Sequence, residues 1–279
     1  MPSKTKNPAA DLSRWQARGG GKPFPLSGID PAAQPFSGGK KERDKEAVES
    51  LALEIDTLQD MLFADRRFKL LVVLQGMDAS GKDGTIRGVF GRVSPLGVHT
   101  KSWKAPTSEE KDHDFLWRIH QQVPGAGELM IFNRSHYEDV LVPVADGNLK
   151  GEALQQRYRQ INDFERLLVE TGTVLLKFML HISPEEQRER LQERIDDPSK
   201  GWKFMPRDLE VRKQWKEYRK AYESLLGATS TECAPWTIVP ADSKTHRNLM
   251  IATVVRDSLK ALGLRYPPLP PELKGAKVP

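Results

Sequence analysis

Residues Gly76-Met-Asp-Ala-Ser-Gly81-Lys82 carry the spacing G-x-x-x-x-G-K, a pattern suited to holding phosphate. Glycine lets the backbone turn sharply, so that successive N–H groups converge on anionic oxygens. Lys82 brings a full positive charge to the terminal phosphates. The loop follows the apolar run Lys69 to Gln75 and opens onto a helical segment from Lys82 to Gly91, which adds the positive end of a helix dipole. Gly76, Ala79, Ser80, Gly81, Asp83, Gly84 and Thr85 are therefore the expected phosphate- and nucleotide-binding positions. Two departures matter. Asp83 stands where a magnesium-binding Ser or Thr is usual, with Thr85 two positions late. Asp78 puts a carboxylate inside an anion cradle, where it would repel phosphate unless a cation lay between them. A metal-bridging or general-base role follows for Asp78, set against a plain turn or helix N-cap role.

A second cluster, Asn133-Arg134-Ser135-His136-Tyr137-Glu138-Asp139, closes the run Glu128 to Phe132, at the carboxyl edge where parallel sheets place ligands. Asn133 occupies the place of a metal-binding Asp, which leaves Asp78 as the expected metal ligand. Arg134 is suited to clamp a transferring phosphoryl group, Glu138 to position an acceptor, a magnesium ion or a water. Ser135 falls among the binding positions; His136 and Tyr137 read as packing and hydrogen-bonding residues. Lys101, Lys104, Lys111 and Arg118 form one basic stretch, suited to line a groove for a long polyanion. Residues 183 to 226 hold eleven basic side chains, Arg194, Lys200 and Lys203 among them. Acidic neighbours nearly balance them, so a solvated surface competes with a basic lid closing over phosphates.

These groups need a scaffold. The run Lys69 to Gln75 is apolar throughout, as expected of a parallel strand covered on both faces. Further strands are expected at 97–103, 128–133, 173–182 and 236–240. Helices are expected at 47–65, 82–91, 108–122, 151–171, 184–194, 207–226 and 245–262. This alternation predicts a three-layer α/β/α fold on a parallel sheet of about five strands. Residues 1–46 read as an arm that lies over the surface or is partly disordered, 47–266 as the domain with a helical lid at about 184–226, and 267–279 as an extended proline-rich tail.

The 279 residues are 38% hydrophobic and 29% charged, with a formal charge of +5, a composition of ordinary globular proteins. The excess of base suits an anionic ligand. The lone Cys233 excludes an internal disulfide and a cysteine-built metal site, and reads as a buried or idle thiol. No stretch resembles a signal-peptide core or a membrane span, so a cytoplasmic location is expected.

Four ordered blocks, Gly76 to Thr85, Trp103 to Glu110, Phe132 to Val140 and Asp196 to Lys203, together resemble the second family of polyphosphate kinases, over about Lys40 to Tyr266. The resemblance implies a P-loop kinase core similar to thymidylate kinase, moving phosphoryl groups between inorganic polyphosphate and nucleotides with magnesium, or manganese in its place. It implies Asp78 and Lys82 as the loop's catalytic pair, Arg134 as the second-motif arginine and Arg194 as the lid arginine. Members acting mainly on ADP tend to carry Asp at the position of Asn133; Asn133 with Glu138 resembles the class that phosphorylates both AMP and ADP. The expected partners are polyphosphate, nucleoside mono- and diphosphates and further copies of the chain, with neither nucleic acid nor membrane. An ATP-dependent small-molecule or nucleoside monophosphate kinase on the same core stands as the alternative, and a non-enzymatic polyanion binder as a third reading.

Overall fold

The computed structural model describes residues 8–204 and 206–277. Its centre is a five-stranded parallel sheet of β1 (Lys69–Gly76), β2 (Val98–Ser102), β3 (Leu129–Asn133), β4 (Thr173–His181) and β5 (Trp236–Pro240), in the spatial order β2-β3-β1-β4-β5. Because side chains alternate along a strand, β1 supplies both cores. Leu71 and Val73 face a cluster built with Ile161, Tyr222 and Leu225, while Leu70, Val72 and Leu74 face one built with Ile55, Met250 and Val255. Each such side chain, fully enclosed, contributes about 1.5–3 kcal/mol. This central strand is thus the best-anchored support available for the loop that follows it.

The helices are α1 (Lys41–Asp65), α2 (Lys82–Phe90), α3 (Ser108–Asp112), α4 (Trp117–His120), α5 (Glu138–Ala145), α6 (Gly151–Glu170), α7 (Pro184–Asp196), α8 (Pro206–Lys213), α9 (Trp215–Thr229) and α10 (Lys244–Ala261). Local chemistry sets their starts. Ser183 accepts from the Glu186 N–H ahead of Pro184, and Ser243 accepts from the His246 N–H, each satisfying a donor the first turn leaves open.

Four expectations change. The helix expected over 108–122 is two short ones: the Thr107–Glu110 capping box starts α3, extended His113 ends it, and the Asp114 carboxylate accepts from the Leu116 N–H at 2.9 Å before α4 begins. The helix expected over 207–226 also breaks, at Gln214, and α9 runs to Thr229 with Leu225 and Leu226 in the core. The described part of the arm is docked: Ala17 and Leu26 are buried, and backbone bonds join Ala17 N–H to Trp236 O and Phe24 N–H to Glu223 O. Cys233 is exposed, not buried. One further helix, α5, had no counterpart in the expectation.

Candidate active site

The phosphate loop fills the turn from β1 to α2. Its backbone is held in left-handed geometry at Ala79 (φ 61°) and Gly81 (φ 104°), and three consecutive carbonyls point to its rear. Gln187 Nε2 donates to Asp78 O at 3.0 Å. Arg190 donates to Ala79 O and Ser80 O, and Arg247 also donates to Ser80 O. Arg190 reaches Ala241 O and Asp242 O as well, both at 2.7 Å, tying α7, the loop and the end of β5 together. A Cβ on Gly81 would overlap the Arg247 guanidinium, so the arginine packs directly behind the loop. Burial, then the like charge of Arg190, pushes Arg247 down to about 9. Two buried guanidinium groups behind the loop add to the positive field at its front.

Lys82 curls over the loop and donates to Gly76 O at 2.7 Å and Met77 O at 3.3 Å. Burial and then the Arg134 charge push its ammonium down to about 8, against the opposing pull of Asp78, Glu138 and Asp83. Ser80 and Thr85 are wholly enclosed, and neither hydroxyl has a hydrogen-bond partner among the described residues; their main-chain N–H groups donate to Met77 O at 3.1 Å and Gly81 O at 2.9 Å.

The register of the sheet brings the second cluster alongside. Leu74 pairs with Asn133, and Arg134 N–H donates to Leu74 O at 3.0 Å. Arg134 itself sits at φ 63°, a strained setting for a non-glycine residue that turns its side chain back to the loop. There Nη2 meets Asp78 Oδ1 at 2.8 Å and Nη1 lies 3.7 Å from Glu138 Oε2. Burial opposes the Arg134 charge, but Glu138 and Asp78 outweigh it and hold the pKa above the ordinary arginine value. Gln75 Nε2 donates to Glu138 Oε1 at 3.2 Å, and Asn133 Nδ2 to Asp83 Oδ1 at 2.6 Å. The Gly76 N–H donates to Tyr222 Oη at 3.1 Å, which seats α9 against the loop.

These groups open onto a cavity of about 480 Å³ lined by Asp78, Lys104, Lys111, Arg134, Glu138 and Arg207, with Val142, Pro143, Val211 and Tyr218 forming an apolar end. Arg118 touches this space from within the wall. It is buried, donates to Lys104 O, Glu110 and Asp139, and stacks on buried Trp103, so its first duty is to hold the wall. Lys101 lies 5.4 Å from the Trp103 ring on β2. Arg194 lies half-buried on α7, and Lys200 pairs with Asp197 at 2.8 Å; neither belongs to the cavity lining. The side chain of Lys203 lies outside the described residues.

Beneath α5, four elements meet at a buried charge pair. Lys177 Nζ donates to Glu165 Oε2 at 2.6 Å, Thr229 O at 2.7 Å and Tyr137 Oη at 3.0 Å, and Tyr137 donates to Glu165 Oε1 at 2.6 Å. His136 Nε2 lies 3.5 Å from the same carboxylate. Burial pushes the Glu165 carboxyl up, but Lys177 and the hydrogen bonds outweigh it and hold it below the ordinary value. Tyr137 thus packs and hydrogen-bonds here, while buried His136 packs against the Tyr137 and Phe164 rings at 4.4 and 5.8 Å between centroids.

Sequence reasoning missed Gln187, Arg190, Tyr222 and Arg247. The first two lay in plain sight on an expected helix, yet their targets are more than 100 residues away. No local pattern marks such a contact.

A strand, a glycine-turned loop with an inward lysine, a helix, and an arginine at the end of the neighbouring strand together define a P-loop phosphotransferase. The profile of polyphosphate kinase 2 matches residues 38–265, and the chain belongs to that family. It is 48% identical over 255 residues to the AMP/ADP-polyphosphate phosphotransferase of Meiothermus ruber, covering 91% of this chain and 95% of that one. It is 38% identical over 273 residues to the ADP-polyphosphate phosphotransferase of Rhodopseudomonas palustris, covering 94% and 89%. The crystal structure of polyphosphate kinase 2 from Arthrobacter aurescens TC1 superposes with a TM-score of 0.88 at 42% identity, covering 95% and 93%. No helix among the described residues is long and apolar enough to cross a membrane.

Proposed function

We propose that this chain transfers the terminal phosphoryl group of inorganic polyphosphate to AMP and to ADP. The observation that carries this reading is the cavity onto which Asp78, Arg134 and Glu138 face from two adjacent strand ends, with Lys104, Lys111 and Arg207 also in its lining and Lys82 buried in the loop against Gly76 O and Met77 O. Similarity to the Meiothermus ruber AMP/ADP-polyphosphate phosphotransferase supports the breadth of acceptor.

In the reaction, an oxygen of the acceptor's terminal phosphate attacks the end phosphorus of the polyphosphate chain. One P–O bond forms, the bridging P–O bond opposite it breaks, and the shortened chain departs with the electron pair. Lys82 and Arg134 hold the transferring oxygens, and the loop's N–H groups orient them; positioning and charge supply most of the rate gain. Arg194 and Lys200 belong to the lid that closes over the phosphates. Lys101, Lys104 and Arg118 flank the polyphosphate path, and Lys203 is assigned to polyphosphate by its place in the sequence.

Magnesium fits this site in one particular way. Among the described residues no group of three or more His, Cys, Asp or Glu side chains converges on one point. Magnesium, however, is commonly bound by one or two carboxylates plus phosphate oxygens and water. Asp78, partly exposed at the cavity, is the carboxylate that would hold it, and the ion would neutralise charge on the phosphates. Asp78 otherwise serves to take the acceptor's proton.

The test is Lys82→Ala, Asp78→Asn and Arg134→Ala, assayed with polyphosphate and AMP or ADP. Rate losses above about 100-fold are expected for each; near-normal rates in all three would sink the scheme. Turnover with ATP and AMP but none with polyphosphate would redirect the assignment to an ATP-dependent kinase.

A further inference from the structure

The carbonyl of Asp78 is bound by a side chain that also grips the lid. Gln187, on α7, is 1% exposed. Its Nε2 donates to Asp78 O at 3.0 Å, while its Oε1 accepts from Arg212 Nη1 of α8 at 2.7 Å. The same Arg212 nitrogen donates to Pro184 O at 3.0 Å, at the first turn of α7. Both functional atoms of the amide are thus used, one on the phosphate loop and one on the lid.

The geometry points to Gln187 as a positioning residue that couples the lid helix α8 to the setting of Asp78. The amide is the chemistry this requires: one donor and one acceptor on a rigid plane, so that a shift of Arg212 is passed to the loop carbonyl. The neighbouring residue, Ala79, is held at φ 61°. An outside hold on the Asp78 carbonyl therefore decides how this strained turn presents the Asp78 carboxylate to Arg134. Val211 lines the cavity one residue before Arg212, as do Arg207 and Asp208 one turn earlier, so occupancy of the cavity and the tension on Gln187 are linked through α8.

The inference rests on the role given to Asp78 above, and the controls separate the two. Gln187→Met keeps the volume and removes both bonds; Gln187→Glu keeps the acceptor for Arg212 and loses the donor to Asp78 O. Arg212→Met, on the half-buried lid side, breaks the same chain without opening the core. With polyphosphate and ADP, all three should lower kcat by roughly ten- to hundred-fold with KM for ADP within about threefold, as expected when a reacting group is misplaced after binding. The Gln187→Met, Arg212→Met double variant should be no slower than the slower single one. Melting curves are recorded beside the kinetics, and Arg212→Met keeps the test open should the Gln187 variants fail to fold. Unchanged kcat in Gln187→Met or Arg212→Met, or losses that multiply in the double variant, would overturn the coupling. If Asp78→Asn is itself near normal, the role of Asp78 fails; if it is inactive while Gln187→Met is normal, only the coupling fails.

Discussion

Lys177→Met isolates the buried pair under α5. The ammonium donates to Glu165, Thr229 O and Tyr137, and both charged side chains are 1% exposed or less. Methionine fills much of the same volume, so the loss is electrostatic rather than a cavity. It strands the Glu165 carboxylate in the core without its ammonium partner, for a cost of about 3–5 kcal/mol. For a chain of this size the melting temperature should fall by roughly 6–15 °C. Thermal unfolding followed by far-UV circular dichroism measures that fall, and unfolding in urea the free-energy loss. The decisive comparison is Lys177→Met with Glu165→Leu in one chain. Removing both charges removes the stranded carboxylate, so the double variant should recover part of the stability, although Thr229 O stays unpaired. A single-variant loss under about 1 kcal/mol, or a double variant less stable than Lys177→Met, would refute the reasoning. The wild-type pH dependence has a fixed sign. The Glu165 pKa is depressed below its ordinary 4.5, so its contribution is complete above that pH and lost as pH falls through the folded value.

Three further outcomes are expected. With Lys82 pushed down to about 8, the free protein loses the charge that attracts phosphate as pH rises past that point; kcat/KM for polyphosphate should fall about tenfold per pH unit above it, and a flat profile to pH 10 would show that Lys82 stays charged. Gly81→Ala introduces a Cβ at φ 104° against the Arg247 guanidinium, and should lower melting temperature and slow turnover more than tenfold; wild-type kinetics would mean the loop is not held from behind as described. Glu138→Ala frees Arg134 and Gln75 from one carboxylate and should change the ratio of AMP to ADP turnover severalfold, read by product separation; an unchanged ratio removes Glu138 from acceptor choice.

The parts legible in sequence were those written in local patterns. β1 and its loop declare themselves because one apolar run meets one glycine-lysine motif, and β5 begins and ends as expected at Trp236 and Pro240. Illegible was α5, eight residues with Pro143 inside: Val140, Leu141 and Val142 have the character of a strand, and only packing against α9 makes them helical. The breaks at His113 and Gln214 escaped because each depends on one residue's dihedral angles within an otherwise helical pattern. Arg190 and Arg247 were not singled out, since burial against carbonyls of a distant loop leaves no local trace. The arm looked loose because it has no core of its own; Trp15, Phe24, Ile29 and Phe36 pack against the domain's two cores, and main-chain groups of the arm bond to β5 and α9.

That docking bears on the open edges of the sheet. A parallel sheet has two edges, each a row of open N–H and C=O groups that another chain can extend. At the β2 edge, exposed His99 and Thr100 and the charge of Lys101 make such an addition unfavourable. At the other edge β5 is buried at all five positions and would be a far better template. It is covered because Gln16 bridges Thr237 in antiparallel fashion and Ala17 N–H donates to Trp236 O at 2.8 Å. These residues precede the stretch matched by the family profile, so a single cut near Gly19 to Gly21 would leave the phosphate loop intact while uncovering an apolar strand ready to recruit a neighbour.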